Sequence, residues 1–224
     1  MNLEPYFKKY EALVKQVDAL FGRVQGDFGN CVKCKAGCDD CCHALFDLTL
    51  IEALYIKKKF DKVFMAGGRD AILDKANLAD REVYRLKRKA HKDHLSGKSG
   101  HEILEQVARQ RVRCPLLNDD SRCLLYDQRP ITCRLYGIPT MIGDKSHTCG
   151  LSGFQRGVAY PTVKLEAIQS KLYALSCELA EEIQSRYPKL GEMLVPLSMA
   201  LLTDYNQEYL GVKTALSPSA EPDG

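Results

Sequence analysis

CVKCKAGCDDCCHALFDLTLIEALYIKKKFDKV, residues 31–63, holds both ingredients of the fold: a cysteine-crowded connection and, directly after it, a helix with its own start signal. The cysteines run Cys31-x2-Cys34-x3-Cys38-x2-Cys41-Cys42, with Asp39 and Asp40 as turn residues among them. Thr49-Leu50-Ile51-Glu52 then fits a capping box, in which the Thr hydroxyl and the Glu carboxylate each satisfy an orphan backbone N–H. Ala53, Ile56, Phe60 and Val63 follow at helical spacing, and Gly67-Gly68 ends the run.

The flanks repeat the helical pattern. Tyr6, Tyr10, Leu13, Val17, Leu20 and Val24 recur at steps of four and three, and Gly26 and Gly29-Asn30 break the stripe. A third helix starts near Asp70, with Ile72, Ala76, Ala79, Val83, Leu86 and Ala90 as its buried side. Ser96 to Gly100 reads as a loop, followed by a helix from about Ile103 to Arg111. Pro130 near the first position and Gly137 past the end mark one short helix. Pro161 opens a long helix carrying Val163, Ile168, Leu172, Leu175, Leu179 and Ile183, and Pro188 stops it. A last helix is expected over 191–209. Strand alternation is sparse. The expected fold is mainly α: one helical domain over 1–211, two cysteine-rich loops converging on a metal site, and a flexible tail at 212–224.

The second cysteine group, Cys114-x8-Cys123-x9-Cys133-x15-Cys149, lies on a loop-rich stretch with Asn118-Asp119-Asp120-Ser121 as a turn. Closely spaced thiols on a turn meet a metal's need for converging ligands at low entropic cost, and a second group closes the shell. Charge agrees with that reading. Four thiolates around Zn²⁺ or a [4Fe–4S]²⁺ cluster leave a net negative site, and neighbouring cations hold it. Arg113, Arg122, Arg129 and Arg134 lie close in sequence to these cysteines, and Lys33 and Lys35 flank Cys34.

Composition excludes other classes. The chain has 224 residues, 45% hydrophobic and 27% charged, enough for a core without staples. Ten cysteines are about 4.5% of it, below the roughly 8–10% of a small disulfide scaffold. The first residues, Met1 to Tyr6, carry Glu4 and Pro5 where a signal peptide needs a basic then apolar stretch. No apolar run reaches the ~18–20 residues of a spanning helix; Met193 to Leu202 is short and holds Pro196. The expectation is a cytoplasmic protein with no membrane segment, where clustered thiols mean metal or redox chemistry. A net charge of +3 gives no case for nucleic acid. The basic stretch from Arg85 to Lys98, with His91, His94 and His101 nearby, reads first as a solvated helix face. No phosphate-binding loop, dinucleotide fingerprint or nucleophile motif is present, and no catalytic residue is assigned.

Cys34-Lys-Ala-Gly-Cys38-Asp-Asp-Cys41-Cys42, then Leu50-Ile-Glu52-Ala, then Cys114-Pro115 and Cys123-Leu-Leu-Tyr126-Asp-Gln-Arg129-Pro130-Ile-Thr-Cys133-Arg134, resembles the YkgJ-like CxxCxxCC cysteine-cluster family of zinc- or iron-chelating domains. The resemblance covers about 31–137. It implies metal binding and no settled reaction. It carries Cys34, Cys38, Cys41, Cys42, Cys114, Cys123 and Cys133 over as ligands. Cys149 joins them on spacing alone, and His147 beside it could lend a nitrogen. Cys31 is marginal, and Cys177, off the apolar stripe of its helix, reads as a packing thiol.

Cys34-x3-Cys38-x2-Cys41 also has the radical S-adenosylmethionine spacing, but Asp40 stands where that family has an aromatic, and no strand–helix alternation follows. The crowded first group and the absence of a tight knuckle in the second favour an iron–sulfur cluster, as [4Fe–4S], over zinc. The expected role is accessory or redox, with a protein or redox partner. Flagellin lysine methylases share a related motif on a longer chain, so a metal-cluster-dependent enzyme is the alternative. A metal-independent interaction module using the basic helix 81–98 is the third reading.

Overall fold

A computed structural model describes residues 2–65 and 67–213; of the expected tail at 212–224, residues 214–224 lie outside the described residues. Three long helices follow from the three clearest stripes. Helix α1 (Glu4–Asp27) buries Tyr6, Phe7, Tyr10, Leu13, Val17 and Val24 on one side. It passes through Gly26 and ends one residue later. Helix α2 (Leu50–Val63) begins with the expected box: the Thr49 N–H and hydroxyl both donate to Glu52 Oε2, at 3.3 and 3.1 Å. Helix α3 (Arg69–Leu95) buries Ile72, Ala76, Ala79 and Val83.

The larger core lies between α1, α2, a five-residue helix α5 (Ile131–Leu135) and α6 (Leu165–Glu182). Tyr55 of α2 wedges against Phe7 and Tyr10, with ring centroids 5.6 and 4.8 Å away. Its hydroxyl donates to Glu11 at 2.8 Å. Each fully buried large side chain here contributes about 1.5–3 kcal/mol. The smaller core joins Phe60 of α2 and Ile72 and Ala76 of α3 to Leu116, Leu125 and helix α7 (Leu197–Leu202).

Strands are few and short. Strand β1 (Asp47–Thr49) pairs antiparallel with β5 (Leu194–Pro196), bringing residues 194–196 back to the start of α2. Strand β2 (Thr140–Ile142) pairs antiparallel with β3 (Lys145–His147) and parallel with β4 (Val163–Lys164). Two- and three-residue strands are too short to show alternation in a sequence.

Three boundaries differ from expectation. The helix over 191–209 is instead a 3-10 turn, β5 and the six-residue α7. Pro196 accounts for the break: lacking an N–H, it sits where the strand ends and immediately precedes the helix. Helix α6 starts at Leu165, because Val163 and Lys164 pair with β2, and it ends before a left-handed Gln184 (φ 49°) rather than at Pro188. Helix α4 (Gly100–Ala108) starts three residues before Ile103, since Ser99 and Glu102 form a second capping box.

The chain is mainly α, with seven α-helices among the described residues. None of those helices is long and apolar enough to cross a membrane.

Candidate metal centre

Backbone hydrogen bonds lay the two cysteine segments side by side. The Cys114 N–H donates to the Cys42 carbonyl at 2.7 Å, and the Val112 N–H to the His43 carbonyl at 3.0 Å. A 3-10 turn over Asp40–His43 presents Cys41 and Cys42. The Ser121 hydroxyl donates to Asp39 Oδ2 at 2.9 Å, a second tie between the segments. The Asn118 turn is closed as its residue types predict: Oδ1 accepts from the N–H groups of Asp120 (3.1 Å) and Arg122 (2.8 Å). That turn folds Cys123 back beside Leu117, so Cys114 and Cys123 come from neighbouring strands of one loop.

Cys133 arrives on α5, and Glu52 helps to place that helix. Its Oε2 caps α2, while Oε1 accepts the Ile131 N–H at 3.2 Å. One buried carboxylate therefore serves the first turns of two helices. Burial pushes its pKa up, against the hydrogen bonds from Ile131 and Thr49 that lower it. Arg134, next to Cys133 and only 6% exposed, grips both oxygens of Asp18 on α1 at 2.9 and 2.7 Å.

Cys34, Cys38, Cys41, Cys42, Cys114, Cys123, Cys133 and Cys149 all line one cavity of about 1080 Å³. Cys31 and Cys177 are outside its lining. Cys31 packs against Gly153, whose N–H donates to its carbonyl at 2.8 Å. Cys177 lies against Gly191, where an added Cβ would stand 2.6 Å from the Cys177 Cα. His147 is exposed on β3 and also outside the cavity. Of the cations near the cysteines in sequence, Lys35, Arg113, Arg122, Arg129 and Arg134 border the cavity and Lys33 does not. Arg129 stacks over Tyr126, 4.0 Å from the ring centroid.

The thiols perturb one another. Cys41 is drawn down because it accepts hydrogen bonds from the Cys133 and Cys42 thiols; Cys42 and Cys133 are pushed up as the donors, with burial adding to the shift. Burial and the neighbouring Cys38 and Cys149 raise Cys34 to about 11. Burial raises Cys114 to about 12. A cation taken up by these sulfurs would displace the protons that burial holds on Cys34 and Cys114 and that hydrogen bonds to Cys41, with burial, hold on Cys42 and Cys133.

Three neighbours of the cysteines were not marked as such by the sequence. Asp40 is more than a turn residue: its Oδ2 lies 3.3 Å from the Cys149 sulfur, and Oδ1 pairs with Arg111. Burial raises its pKa, but hydrogen bonds from Cys149, Arg111 and Tyr136 outweigh this and leave it lowered. Gly137 lets the Cys34 sulfur approach, since a Cβ there would sit 2.1 Å from it. Glu52 showed its capping role in the sequence, while its bond to Ile131 depends on tertiary packing.

Among the described residues, no three His, Cys, Asp or Glu side chains stand close enough together to hold a metal ion as they are placed. The donor set itself, eight soft sulfurs around one cavity, suits zinc or an iron–sulfur cluster.

A family model described as "CxxCxxCC: Putative zinc- or iron-chelating domain" matches residues 33–150. The chain belongs to this family. The match spans just over half the chain. It reaches beyond the motif stretch at 31–137 to take in Cys149, and it leaves out Cys31. No curated protein and no solved structure matches the chain.

Proposed function

We propose that this CxxCxxCC protein holds an iron–sulfur cluster through its clustered thiolates and serves an accessory or redox role toward a protein partner. The observation that carries the reading is the shared cavity: eight cysteines from segments 34–42 and 114–149 line it. When bound, a [4Fe–4S] group would supply one-electron transfer. The chain's own residues do the rest. The cysteines supply the ligands, and Glu52 and Arg134 fix the helix that carries Cys133. Phe46, Val112 and Leu116 give the cavity an apolar wall. The Arg129 guanidinium opposes, without overcoming, the burial that raises Cys34, and adds to the thiol hydrogen bonds that draw Cys41 down. Zinc is the alternative occupant of the same sulfurs. The test is paired substitution: Cys133→Ser should lose the metal and Cys177→Ser should keep it. A folded, metal-replete Cys133→Ser protein contradicts the shared site.

The cavity's size supports a second reading as a metal-cluster-dependent enzyme related to flagellin lysine methylases. At about 1080 Å³ it is as large as small-molecule pockets, which run to roughly 300–1,000 Å³. Stabilisation of the protein by a methyl-donor cosubstrate in a thermal-shift assay would support an enzyme, and its absence an accessory role.

A further inference from the structure

Helix α3 has two opposed faces. Ala79 and Val83 are buried and form part of the wall of the cysteine cavity. Arg81, Arg85, Arg88 and Lys92 follow one another at steps of four, three and four, so they form one stripe along the helix. At 3.6 residues per turn that stripe lies roughly 180° around the helix from Ala79 and Val83. All four side chains are exposed. One helix therefore separates the cavity from the stripe, a thickness of about 10–12 Å.

Nothing in the fold calls for this stripe. Lys87 and Lys98 of the same basic stretch pair with Asp47 and Asp93. Among the described residues, Arg81, Arg85, Arg88 and Lys92 form no ion pair. Like charges one turn apart, as in Arg81–Arg85 and Arg88–Lys92, destabilise a helix. Between Leu78 and Leu95 the outer face carries no carboxylate, because Glu82 and Asp93 lie about a quarter-turn to the side. Apolar side chains border the stripe instead: Leu78, Tyr84 and Leu95 are 66, 63 and 73% exposed. Arginines with an aromatic and apolar side chains are what the centre of a protein interface is made of, whereas a phosphate backbone needs cations alone. At 1.5 Å per residue the stripe runs about 16 Å from Arg81 to Lys92. That length suits the small, charge-steered contacts of redox encounters.

We infer that the outer face of α3, centred on Arg85 and Arg88, is the docking surface for a protein partner with an acidic, carboxylate-rich surface. Seated there, the partner stands one helix away from the cysteine cavity. The inference rests on the redox reading above and gives its partner a chemistry and a place.

The test is a calorimetric titration of the full chain with an acidic [2Fe–2S] ferredoxin, with basic cytochrome c and a short RNA duplex as comparison probes. Ferredoxin should bind and cytochrome c should not. Raising NaCl from about 50 to about 500 mM should weaken ferredoxin binding roughly tenfold. Arg85→Glu combined with Arg88→Glu should weaken it about tenfold at low salt and leave metal content unchanged. Lys171→Glu, an exposed charge reversal on α6, should bind as the wild type does. Absent ferredoxin binding, or binding that ignores both salt and the double substitution, overturns the assignment. Tighter binding of the RNA duplex, lost in the same variant, overturns it in favour of nucleic acid. Metal-free protein that still binds ferredoxin through these arginines supports the docking face and removes the redox reading instead. The salt series is taken on the wild-type protein, so a variant that fails to fold does not remove the test.

Discussion

Glu52→Ala should destabilise the chain by about 2–4 kcal/mol, from a capping loss of ~0.5–2 and an orphaned buried N–H of ~1–3. The structure supplies both contributions. Glu52 is 4% exposed, and its two oxygens accept from the Thr49 N–H and hydroxyl on one side and the Ile131 N–H on the other. Alanine deletes all three bonds and leaves the Ile131 N–H buried without a partner. Relief of a desolvated carboxylate, visible as its raised pKa, offsets part of the loss. Glu52→Gln keeps the shape but has one oxygen, so its amide must point N–H at N–H on one side; about 1–2 kcal/mol is expected. Urea unfolding with a common slope measures both, with exposed Glu82→Ala as the control. For a chain of this size the alanine variant's Tm should fall by about 4–16 °C. If both variants stay within about 0.5 kcal/mol of the wild type, the bridging role of Glu52 is refuted, because surface substitutions alone give that much.

Other expectations are narrower. Gly137→Ala should cut metal content as Cys34→Ser does while the chain stays folded, because its Cβ would displace the Cys34 sulfur; metal analysis beside circular dichroism checks this. Asp18→Ala should cost about 1–3 kcal/mol in urea unfolding, since it leaves Nη1 of the buried Arg134 without its carboxylate partner while Nε and Nη2 keep the Arg129 and Asp127 carbonyls. Glu11→Gln should be less stable than the wild type at neutral pH, with the gap closing in acid. Hydrogen bonding from Tyr55 lowers the Glu11 pKa below its unfolded value, so that stability is present above the unfolded pKa and lost as pH falls through the folded one. Urea midpoints at several pH values should show this convergence.

What could be read in advance was what local chemistry decides. The stripes of α1, α2 and α3, the Thr49–Glu52 box and the Asn118 turn each depend on residues within a turn or two of one another. The family was legible too, because the spacing of Cys34 to Cys42 and of Cys114 to Cys133 matches its motif. The apolar run 193–202 was misread as part of one helix, because Pro196 marks a break in it but nothing local shows that Leu194–Pro196 pair as a strand with Asp47–Thr49. Asp40, Gly137 and the second half of Glu52's role act across long stretches of sequence. No spacing rule reaches that far.

Anaerobic purification, followed by iron, sulfide and zinc analysis and a visible spectrum, tests the central claim most directly. Iron and acid-labile sulfide in matching amounts, with visible absorption that bleaches on reduction, is the predicted result. Stoichiometric zinc without sulfide would remove the iron–sulfur assignment, and metal-free protein with its cysteines oxidised in pairs would contradict metal binding altogether.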